Sequence, residues 1–450
     1  MLKMIKYVAI LFLYLSAILP QALADIVPLT ILSTNDIHSY LLPDDEDRGG
    51  LARISAYNKN VRLRQKNVLV LNAGDMASGT AVSLLFKGDP IFHVLNSMSM
   101  DAAVLGNHDF DYGWQRIRHY REITKFPLLC ANAYVLGNDG KRRLVADEPY
   151  RIFTFGELRI AVIGVLTEKT PAMTTKSATD GVTFLPAIQT LKTLVSEVSQ
   201  KSDIVIALTH VGVRHDELIA SEVQDVDLII GGHSHTVLRK ASEVNGVRII
   251  QAGEYGYYIG RIDMTVDTDE DSIVDFKYAL VEVAAPMESD PETAKIVDEW
   301  ENKVKDIVDR PLAEAVTDLS KMDMVFIAEA AFLESTGADY SHQNSGGTRG
   351  AIRKGAFSYR TIWNIFPFEN TLVTAEISGK DIPQHFYGHE PIDPAKTYRI
   401  VTNSFVRDQW ERDHPELASV EWNDTGITLR DSVLRYLKKH PRIDKVRLVR

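Results

Sequence analysis

Short apolar runs alternate with helical stretches over residues 25 to about 285. Two of the helical stretches cover residues 50–66 and 90–99. Short apolar runs separated by helical segments are typical of buried strands in an α/β protein. The predicted strands are 29–33, 68–71, 103–105, 160–166, 204–208 and 228–230.

Polar clusters follow five of these strands. In chain order they read TNDIH, NAGD, GNHD, LTHVG and GGHSH. In open α/β sheets, binding sites form just beyond the carboxyl ends of the strands. We therefore expect the five clusters to meet in one crevice, although they are far apart along the chain.

The pattern divides the chain into two domains joined by a charged helix. Its 450 residues are too many for one ordinary core. Residues 25–288 are predicted to form the first domain. A connector helix is predicted over 289–312, with Pro291 in its first turn. Residues 313–450 are predicted to form a second, smaller α/β domain that ends in a solvated basic helix and a final strand.

Residues 1–24 have the pattern of a secretory signal. Lys3 and Lys6 precede an apolar stretch over residues 7–20, and an Ala-Leu-Ala cleavage pattern covers 22–24. The alternative is an uncleaved anchor, but the apolar stretch is short for a membrane span, which needs roughly 20 residues. We expect a periplasmic or secreted bacterial protein with no stable membrane anchor after cleavage.

The composition narrows the class of partner. The formal net charge is −11. A general nucleic-acid binder needs a basic face, so the expected partner is not a nucleic-acid polymer. A small anionic substrate stays compatible with this charge, because bound metal ions reverse the local field. The one cysteine, Cys130, lies in an apolar run and is predicted to be a buried strand residue.

The polar clusters supply ligands that suit divalent metal ions. Carboxylate, imidazole and amide groups without a thiolate favour Mn, Zn, Fe, Mg or Ca over a soft metal. A lone histidine is more often structural, but several polar side chains that face one crevice are costly without a partner. The candidates are Asp36, His38, Asp75, Asn107, His108, His210, His233 and His235.

The order and spacing of these residues resemble the signature of the calcineurin-like metallophosphoesterases. The matching blocks are Asp36-x-His38, Gly74-Asp75, Gly106-Asn107-His108-Asp109, His210 and Gly232-His233-Ser234-His235. With the exported start and the second domain, the chain is most similar to the bacterial 5′-nucleotidases, over residues 28–405. The resemblance implies a four-layer αββα sandwich with a smaller C-terminal α/β domain.

The resemblance also implies two divalent metal ions and a ligand set for each. Asp36, His38, Asp75 and His235 would hold the first ion. Asp75, Asn107, His210 and His233 would hold the second. Asp75 would bridge the two ions, which needs a carboxylate because one side chain must bind two cations. Two ions held in this way can clamp a phosphoryl group and activate a water molecule.

His108 is left for a second role, and the resemblance implies that it is catalytic. A histidine at this place in the family stabilises the transition state or protonates the leaving group, and an acid orients it. Asp111 would fix the tautomer and favour the imidazolium. Asp109 is the alternative orienting acid, and packing beside the site is the alternative role for His108.

The segment 344–349, which reads NSGGTR, resembles the substrate motif of the family's C-terminal domain. Glycine lets the backbone approach a ligand closely, and an arginine fork matches a phosphate group. In a helical segment, Arg353 would share a face with Arg349. The predicted substrate-binding residues are Asn344, Gly346, Gly347, Arg349 and Arg353. The FPFEN block at 366–370 also matches the family, and we expect Phe368 to be a core residue.

Two parts of the family's nucleoside site are missing. One is the aromatic segment after the FPFEN block, and the other is a GGDG-aromatic motif near the C-terminus. Phe405 or Trp410 could supply a stacking surface instead. Core packing or exposure is expected for His385, Phe386, Tyr387 and His389.

These observations predict a metal-dependent phosphomonoesterase. The resemblance implies that metal-bound hydroxide attacks the phosphorus atom of a nucleoside 5′-monophosphate. Alternative substrates are nucleotide diphosphates, UDP-sugars, sugar phosphates, cyclic nucleotides and sulfur esters. A non-catalytic periplasmic metal- or nucleotide-binding protein is the alternative of another class, and the added His108 argues against it. The sequence leaves the metal identity, the oligomeric state and the extent of domain motion open.

Overall fold

The structure is a computed structural model that describes residues 26–137, 139–413 and 420–449. The predicted signal over residues 1–24 lies outside the described residues. Within the described residues, every helix is too short or too polar to cross a bilayer.

The first domain contains fifteen strands and eight α-helices in the described residues. The strands are β1 (Ile26–Thr34), β2 (Val68–Asn72), β3 (Ala102–Val104), β4 (Leu128–Leu129), β5 (Ala133–Leu136), β6 (Arg142–Leu144), β7 (Tyr150–Phe155), β8 (Leu158–Leu166), β9 (Val182–Phe184), β10 (Ile204–His210), β11 (Leu228–Ile230), β12 (Ser242–Val244), β13 (Val247–Ile250), β14 (Tyr258–Asp267) and β15 (Ser272–Glu282). The helices are α1 (Leu51–Arg64), α2 (Ala81–Leu85), α3 (Asp89–Leu95), α4 (Trp114–Ile123), α5 (Thr170–Met173), α6 (Lys176–Thr179), α7 (Ala187–Val198) and α8 (Val213–Glu222).

Two six-stranded sheets form the centre of this domain. Their orders are β15-β14-β1-β2-β3-β4 and β12-β13-β11-β10-β8-β7. Strands β1 to β4 run parallel, as do β8, β10, β11 and β13. Ile31 and Leu71 of the first sheet and Val162 and Ile206 of the second are fully buried in one apolar cluster between the sheets. Strands buried on both faces explain the continuous apolar runs in the sequence.

Helices cover the outer face of each sheet. Phe92 of α3 and Tyr120 of α4 pack in a cluster on the outer side of the first sheet. Leu191 of α7 and Ile219 of α8 pack in a cluster on the outer side of the second sheet. The helix–sheet–sheet–helix order confirms the predicted four-layer sandwich.

The rest of the described chain contains eight strands and six α-helices. The strands are β16 (Pro311–Ala315), β17 (Tyr340–Ser341), β18 (Gly355–Ser358), β19 (Thr371–Ser378), β20 (Tyr387–Gly388), β21 (Thr397–Asn403), β22 (Asn423–Thr428) and β23 (Arg442–Ile443). The helices are α9 (Pro291–Glu301), α10 (Lys305–Val308), α11 (Lys321–Thr336), α12 (Tyr359–Ile365), α13 (Ser404–Asp413) and α14 (Leu429–Lys439).

The connector consists of two short helices, where the sequence predicts one. Asp290 caps α9 by accepting a hydrogen bond from the Thr293 N–H, and Pro291 opens the helix as predicted. The first helix ends at Glu301, and the second begins at Lys305, so residues 302–304 separate them. The predicted domain boundaries stay a prediction.

The second domain has its own core. Its sheets have the orders β18-β16-β23 and β20-β17-β21-β19-β22. Phe332 of α11, Ile362 of α12 and Val433 of α14 meet in its largest apolar cluster. The basic C-terminal segment forms a helix and a final strand, α14 and β23, as predicted. The helix is amphipathic, because it exposes its basic face and buries Leu429, Val433, Leu434 and Leu437 in this core.

Candidate metal centre and substrate cavity

The structure brings the five polar clusters to one edge of the two sheets. Asp36 and His38 follow β1, and Asp75 follows β2. His210 is the last residue of β10. Parallel strands present their carboxyl ends at the same edge, which is why residues nearly 200 positions apart meet here.

Asp36, His38 and His235 form the first candidate metal group. One ligand atom from each lies within 4.8 Å of the others. His38 Nε2 is 3.1 Å from His235 Nε2, and His235 Nε2 is 3.3 Å from Asp36 Oδ1. The Asp36 and His38 side chains are buried, so their polar atoms face one another and not solvent.

Asp75, His210 and His233 form the second candidate group, again with ligand atoms within 4.8 Å of one another. Asn107 joins it through its Oδ1, which is 2.8 Å from His233 Nδ1. Asp75 Oδ2 lies 3.1 Å from His210 Nε2 and 3.8 Å from His38 Nε2. The Asp75 carboxylate therefore stands between the two groups, in the place that a bridging ligand needs.

The histidine side chains in these groups are held as metal ligands commonly are. His210 Nδ1 donates to the Ala73 carbonyl at 2.7 Å, and His210 Nε2 is a buried atom without a hydrogen-bond partner in the described residues. His235 Nδ1 contacts the carboxylate of Glu254, which leaves Nε2 directed at Asp36. A ligating imidazole usually anchors its second nitrogen in this way. The donor set therefore fits two divalent cations.

Glu254 was not predicted from the sequence. It lies four residues beyond β13, which runs parallel to β11 in the same sheet. The sequence contains the same indication of a site here as in the other clusters: Glu254 is a polar residue just past the end of a strand, in the segment QAGE at 251–254. The run that forms β13 is only four residues long, which makes the strand and its end hard to recognise in the sequence.

The backbone of the site is strained. Five of the predicted metal ligands have positive φ, a conformation that residues other than glycine rarely adopt. They are Asp36 (51°), His38 (50°), Asp75 (52°), His233 (79°) and His235 (54°). This conformation costs about 1–2 kcal/mol per residue and concentrates at functional sites. Backbone hydrogen bonds between the β1 and β2 loops hold it, from the Asp36 N–H to the Gly74 carbonyl and from the His38 N–H to the Asp75 carbonyl, both 2.9 Å.

His108 lies beside the second group with an acid behind its ring. His108 Nδ1 is 2.9 Å from Asp111 Oδ2, and the His108 backbone N–H donates to Asp75 Oδ1 at 2.8 Å. Burial opposes the charged ring, but the carboxylates of Asp111 and Asp75 together raise the pKa of His108. Asp109 instead accepts backbone N–H groups from Met76, Ala77 and Gly106. The catalytic roles of His108 and Asp111 stay predictions.

The second domain delivers its predicted motif to the same place. Asn344, Gly346, Gly347 and Arg349 line a cavity of about 480 Å³ together with Asp75, Asn107, His108, His233 and His235. Arg349 Nη2 lies 3.2 Å from His38 Nε2.

Arg353 lies elsewhere. Its side chain is 79% exposed and pairs with Glu46 at 2.7 Å, outside the cavity. From the sequence, Arg353 is expected to share a helical face with Arg349. This expectation is wrong, because residues 348–354 form no helix.

The FPFEN block and α13 form a further part of the cavity wall. Phe405 and Gln409 line it from α13. Phe368 also lines it and stacks on His108, with ring centroids 5.4 Å apart. The expectation that Phe368 is a core residue is therefore wrong. Trp410, the other stacking candidate, is buried in a separate apolar cluster with Phe386.

Cys130 is fully buried, as predicted, but it lies directly after β4 and not within a strand. Burial raises the pKa of its thiol to about 12, so it stays protonated at neutral pH.

Two family models match the sequence. The calcineurin-like phosphoesterase model matches residues 29–237, and the 5′-nucleotidase C-terminal domain model matches residues 311–387. The first covers the strand-end clusters from Asp36 to His235, and the second covers the segment with Arg349.

Individual proteins show the same similarity. The trifunctional nucleotide phosphoesterase YfkN of Bacillus subtilis is 30% identical over 411 residues, 79% of this chain but 27% of that protein. UshA of Escherichia coli is 27% identical over 469 residues, 84% of either chain. The crystal structure of a 5′-nucleotidase precursor from Thermus thermophilus superposes with a TM-score of 0.85, at 23% identity, over 94% of this chain and 98% of that one.

Proposed function

Because this chain belongs to the calcineurin-like phosphoesterases and carries a 5′-nucleotidase-type C-terminal domain, we propose that it releases phosphate from nucleoside 5′-monophosphates. The observation that carries this proposal is the pair of candidate metal groups around Asp75, at one end of a cavity that also contains His108 and Arg349. A phosphomonoester fits this arrangement, with its phosphoryl group at the metal groups and its leaving group toward α13.

The ligand residues named above would hold two divalent cations. When bound, such a pair supplies Lewis-acid stabilisation of phosphoryl charge and lowers the pKa of water. The chain's own contribution is to fix the ligand atoms before binding, because the strained loops are held by their backbone hydrogen bonds.

Arg349 and His108 act on opposite parts of the substrate. The guanidinium of Arg349, close to His38, is placed to donate to phosphoryl oxygens, where charge grows during the reaction. His108 holds its Nδ1 proton against Asp111, so Nε2 is the nitrogen free to hand a proton to the leaving oxygen. The raised pKa of His108 keeps the ring charged more readily at neutral pH.

The leaving group would lie against Phe405 and Phe368. Both rings line the cavity, and Gln409 and Asn370 add amide groups to its wall. A nucleoside offers a flat base for one ring and polar edges for the amides. This surface would replace the aromatic clamp whose sequence motifs the chain lacks.

A substrate panel tests the proposal. Purified protein with Mn²⁺ is given p-nitrophenyl phosphate, adenosine 5′-monophosphate, ribose 5-phosphate, UDP-glucose and cyclic AMP, and EDTA is added to parallel samples. We expect adenosine 5′-monophosphate to give the highest kcat/KM and EDTA to abolish turnover. Faster hydrolysis of ribose 5-phosphate would move the substrate class to sugar phosphates. Metal uptake without hydrolysis of any ester would indicate a binding protein.

We also propose export from the cytoplasm. The support is the sequence of residues 1–24, with its basic start, apolar stretch and Ala-Leu-Ala end. Amino-terminal sequencing of the protein from a periplasmic fraction should begin at Asp25. Recovery with Met1 intact in the membrane fraction would indicate an anchor instead.

A further inference from the structure

Asn403 stands where two parallel strands of the second domain end together. It is the last residue of β21, which pairs in parallel with β17. Gln343 and Asn344 follow the end of β17, so their side chains meet that of Asn403 at the same sheet edge. Asn403 and Gln343 are buried, at 0% and 1% exposure. An unpaired polar group is costly in such a place, so the hydrogen bonds between these two side chains are important for stability.

The side chain of Asn403 has a fixed polarity. Its Oδ1 accepts a hydrogen bond from the Val406 backbone N–H at 3.0 Å. A backbone N–H can only donate, so the oxygen must face α13 and the Nδ2 group must face the other way. That Nδ2 donates to Gln343 Oε1 at 2.9 Å and to Asn344 Oδ1 at 3.1 Å.

The orientation of the Asn403 amide also fixes the orientation of the Asn344 amide. Its oxygen is engaged by Asn403, so its Nδ2 donor group is the one left for the cavity that Asn344 lines. The neighbouring loop is held as well. Gln343 Nε2 donates to the Asn344 carbonyl at 3.2 Å and to Thr348 Oγ1 at 3.3 Å, and the Gln343 N–H donates to Glu329 Oε1 at 3.0 Å.

The loop around Gly347 packs tightly against the side-chain amides of Gln343 and Asn344, so these amides have little room to move. A Cβ at Gly347 would lie 2.8 Å from Gln343 Nε2 and 2.9 Å from Asn344 Oδ1. Both amide groups are therefore packed directly against the backbone of the segment that carries Arg349.

We propose that Asn403 is a positioning residue that turns the Asn344 amide so that its N–H donors face an acceptor oxygen of the substrate. The inference rests on the proposed function, because it assigns the donors to a phosphate ester. Reversing the amide would present a carbonyl oxygen to an anionic substrate. It would also leave two NH₂ donors, those of Asn344 and Asn403, facing each other in a buried place.

Two substitutions separate this role from helix capping. Asn403 is also the residue before α13, and aspartate and serine both cap helices well. Asn403→Asp keeps the cap but has no donor, so Gln343 and Asn344 must turn their NH₂ groups toward it. Asn403→Ser keeps the cap and retains one O–H donor. A residue that only caps α13 would tolerate both changes equally.

The test is a double-mutant cycle of Asn403→Asp with Asn344→Ala, measured on the ester of the panel that the wild type hydrolyses. We expect Asn403→Asp alone to raise KM about tenfold with kcat nearly unchanged, since one hydrogen bond to a charged group is lost. Asn403→Ser should raise KM less. In the Asn344→Ala background, Asn403→Asp should change KM little, because the group it acts through is gone. An equal rise of KM in both backgrounds would overturn the proposal, as would equal effects of aspartate and serine.

The unfolding midpoints of the same four proteins in urea give a readout that needs no substrate. The hydrogen-bonded pair predicts non-additive shifts, and additive shifts would overturn it. A wild type that hydrolyses no ester of the panel would defeat the proposed function alone, and the unfolding cycle would then still test whether Asn403 holds the Asn344 amide.

Discussion

Glu329 is a buried acid of α11 whose charge should make the protein less stable as pH rises. Its side chain is 1% exposed. Oε1 accepts the Gln343 N–H, whereas Oε2 has no hydrogen-bond partner in the described residues. His342 Nδ1 is 3.7 Å from Oε1, but burial lowers the pKa of His342 to about 4, so this ring stays neutral above pH 5. No cation in the described residues pairs with the Glu329 carboxylate at salt-bridge distance.

The magnitude follows from the two protonation equilibria of Glu329. Burial raises its pKa from the ordinary value of 4.5 to about 8 in the folded protein. Between these values the folded state binds more protons than the unfolded state, so the free energy of unfolding falls as pH rises. One pKa unit corresponds to about 1.4 kcal/mol, so the ionisation of Glu329 lowers the free energy of unfolding by about 2.5 kcal/mol between pH 5 and pH 7.

Glu329→Gln removes this titration and keeps the acceptor for the Gln343 N–H. Urea unfolding of both proteins, in EDTA and at half-unit steps from pH 5 to pH 8, isolates the effect because all other titrating groups are shared. We expect the free energy of unfolding of Glu329→Gln to rise relative to that of the wild type as the pH increases across this range. Parallel curves would refute the reasoning, since they would mean that Glu329 ionises at an ordinary pKa in the fold.

Four further predictions concern the candidate site. Asp75→Ala should abolish metal binding and turnover together, measured by elemental analysis and phosphate release. His108→Ala should retain both metals and lose on the order of 10²–10⁴ in kcat, the usual contribution of acid–base catalysis; a wild-type rate would show that His108 has no such role. Arg349→Ala should raise KM by about tenfold or more, whereas the matched control Arg353→Ala should leave KM unchanged because Arg353 is exposed and paired outside the cavity. Phe405→Ala should raise KM for adenosine 5′-monophosphate about tenfold and for ribose 5-phosphate little, if a base stacks on it; equal changes for both esters would place the base elsewhere.

The location of the candidate metal centre could be predicted because it depends on sheet topology. Strand runs such as 204–208 are apolar on both faces, and the polar residue at the end of each run is easy to recognise. Parallel pairing then brings these ends to one edge without any knowledge of the loops. The same reasoning would have found Glu254 if the four-residue strand β13 had been recognised.

The substrate side was less predictable because it depends on irregular backbone. Helical spacing predicts that Arg353 lies beside Arg349, but residues 348–354 form no helix, and Arg353 pairs with Glu46. Phe368 was assigned to the core by its apolar character, whereas the cavity between the domains leaves it room to stack on His108. The orientation of the Asn344 amide depends on a side chain 59 positions away and leaves no local pattern.

The positive φ of Asp75 decides how its substitution must be interpreted. Alanine at φ 52° is strained, so a failed Asp75→Ala variant could reflect a displaced loop as well as a lost ligand. Asparagine adopts this conformation readily, and its side-chain oxygen can still accept the His108 N–H that Asp75 Oδ1 accepts at 2.8 Å. The backbone bonds from Asp36 and His38 to this loop involve no side chain of residue 75, so they persist in Asp75→Asn. A neutral amide cannot take the place of a carboxylate between two cations. Loss of one or both ions in a fully folded Asp75→Asn protein would therefore assign the defect to the missing charge, whereas normal metal content would show that Asp75 does not bridge.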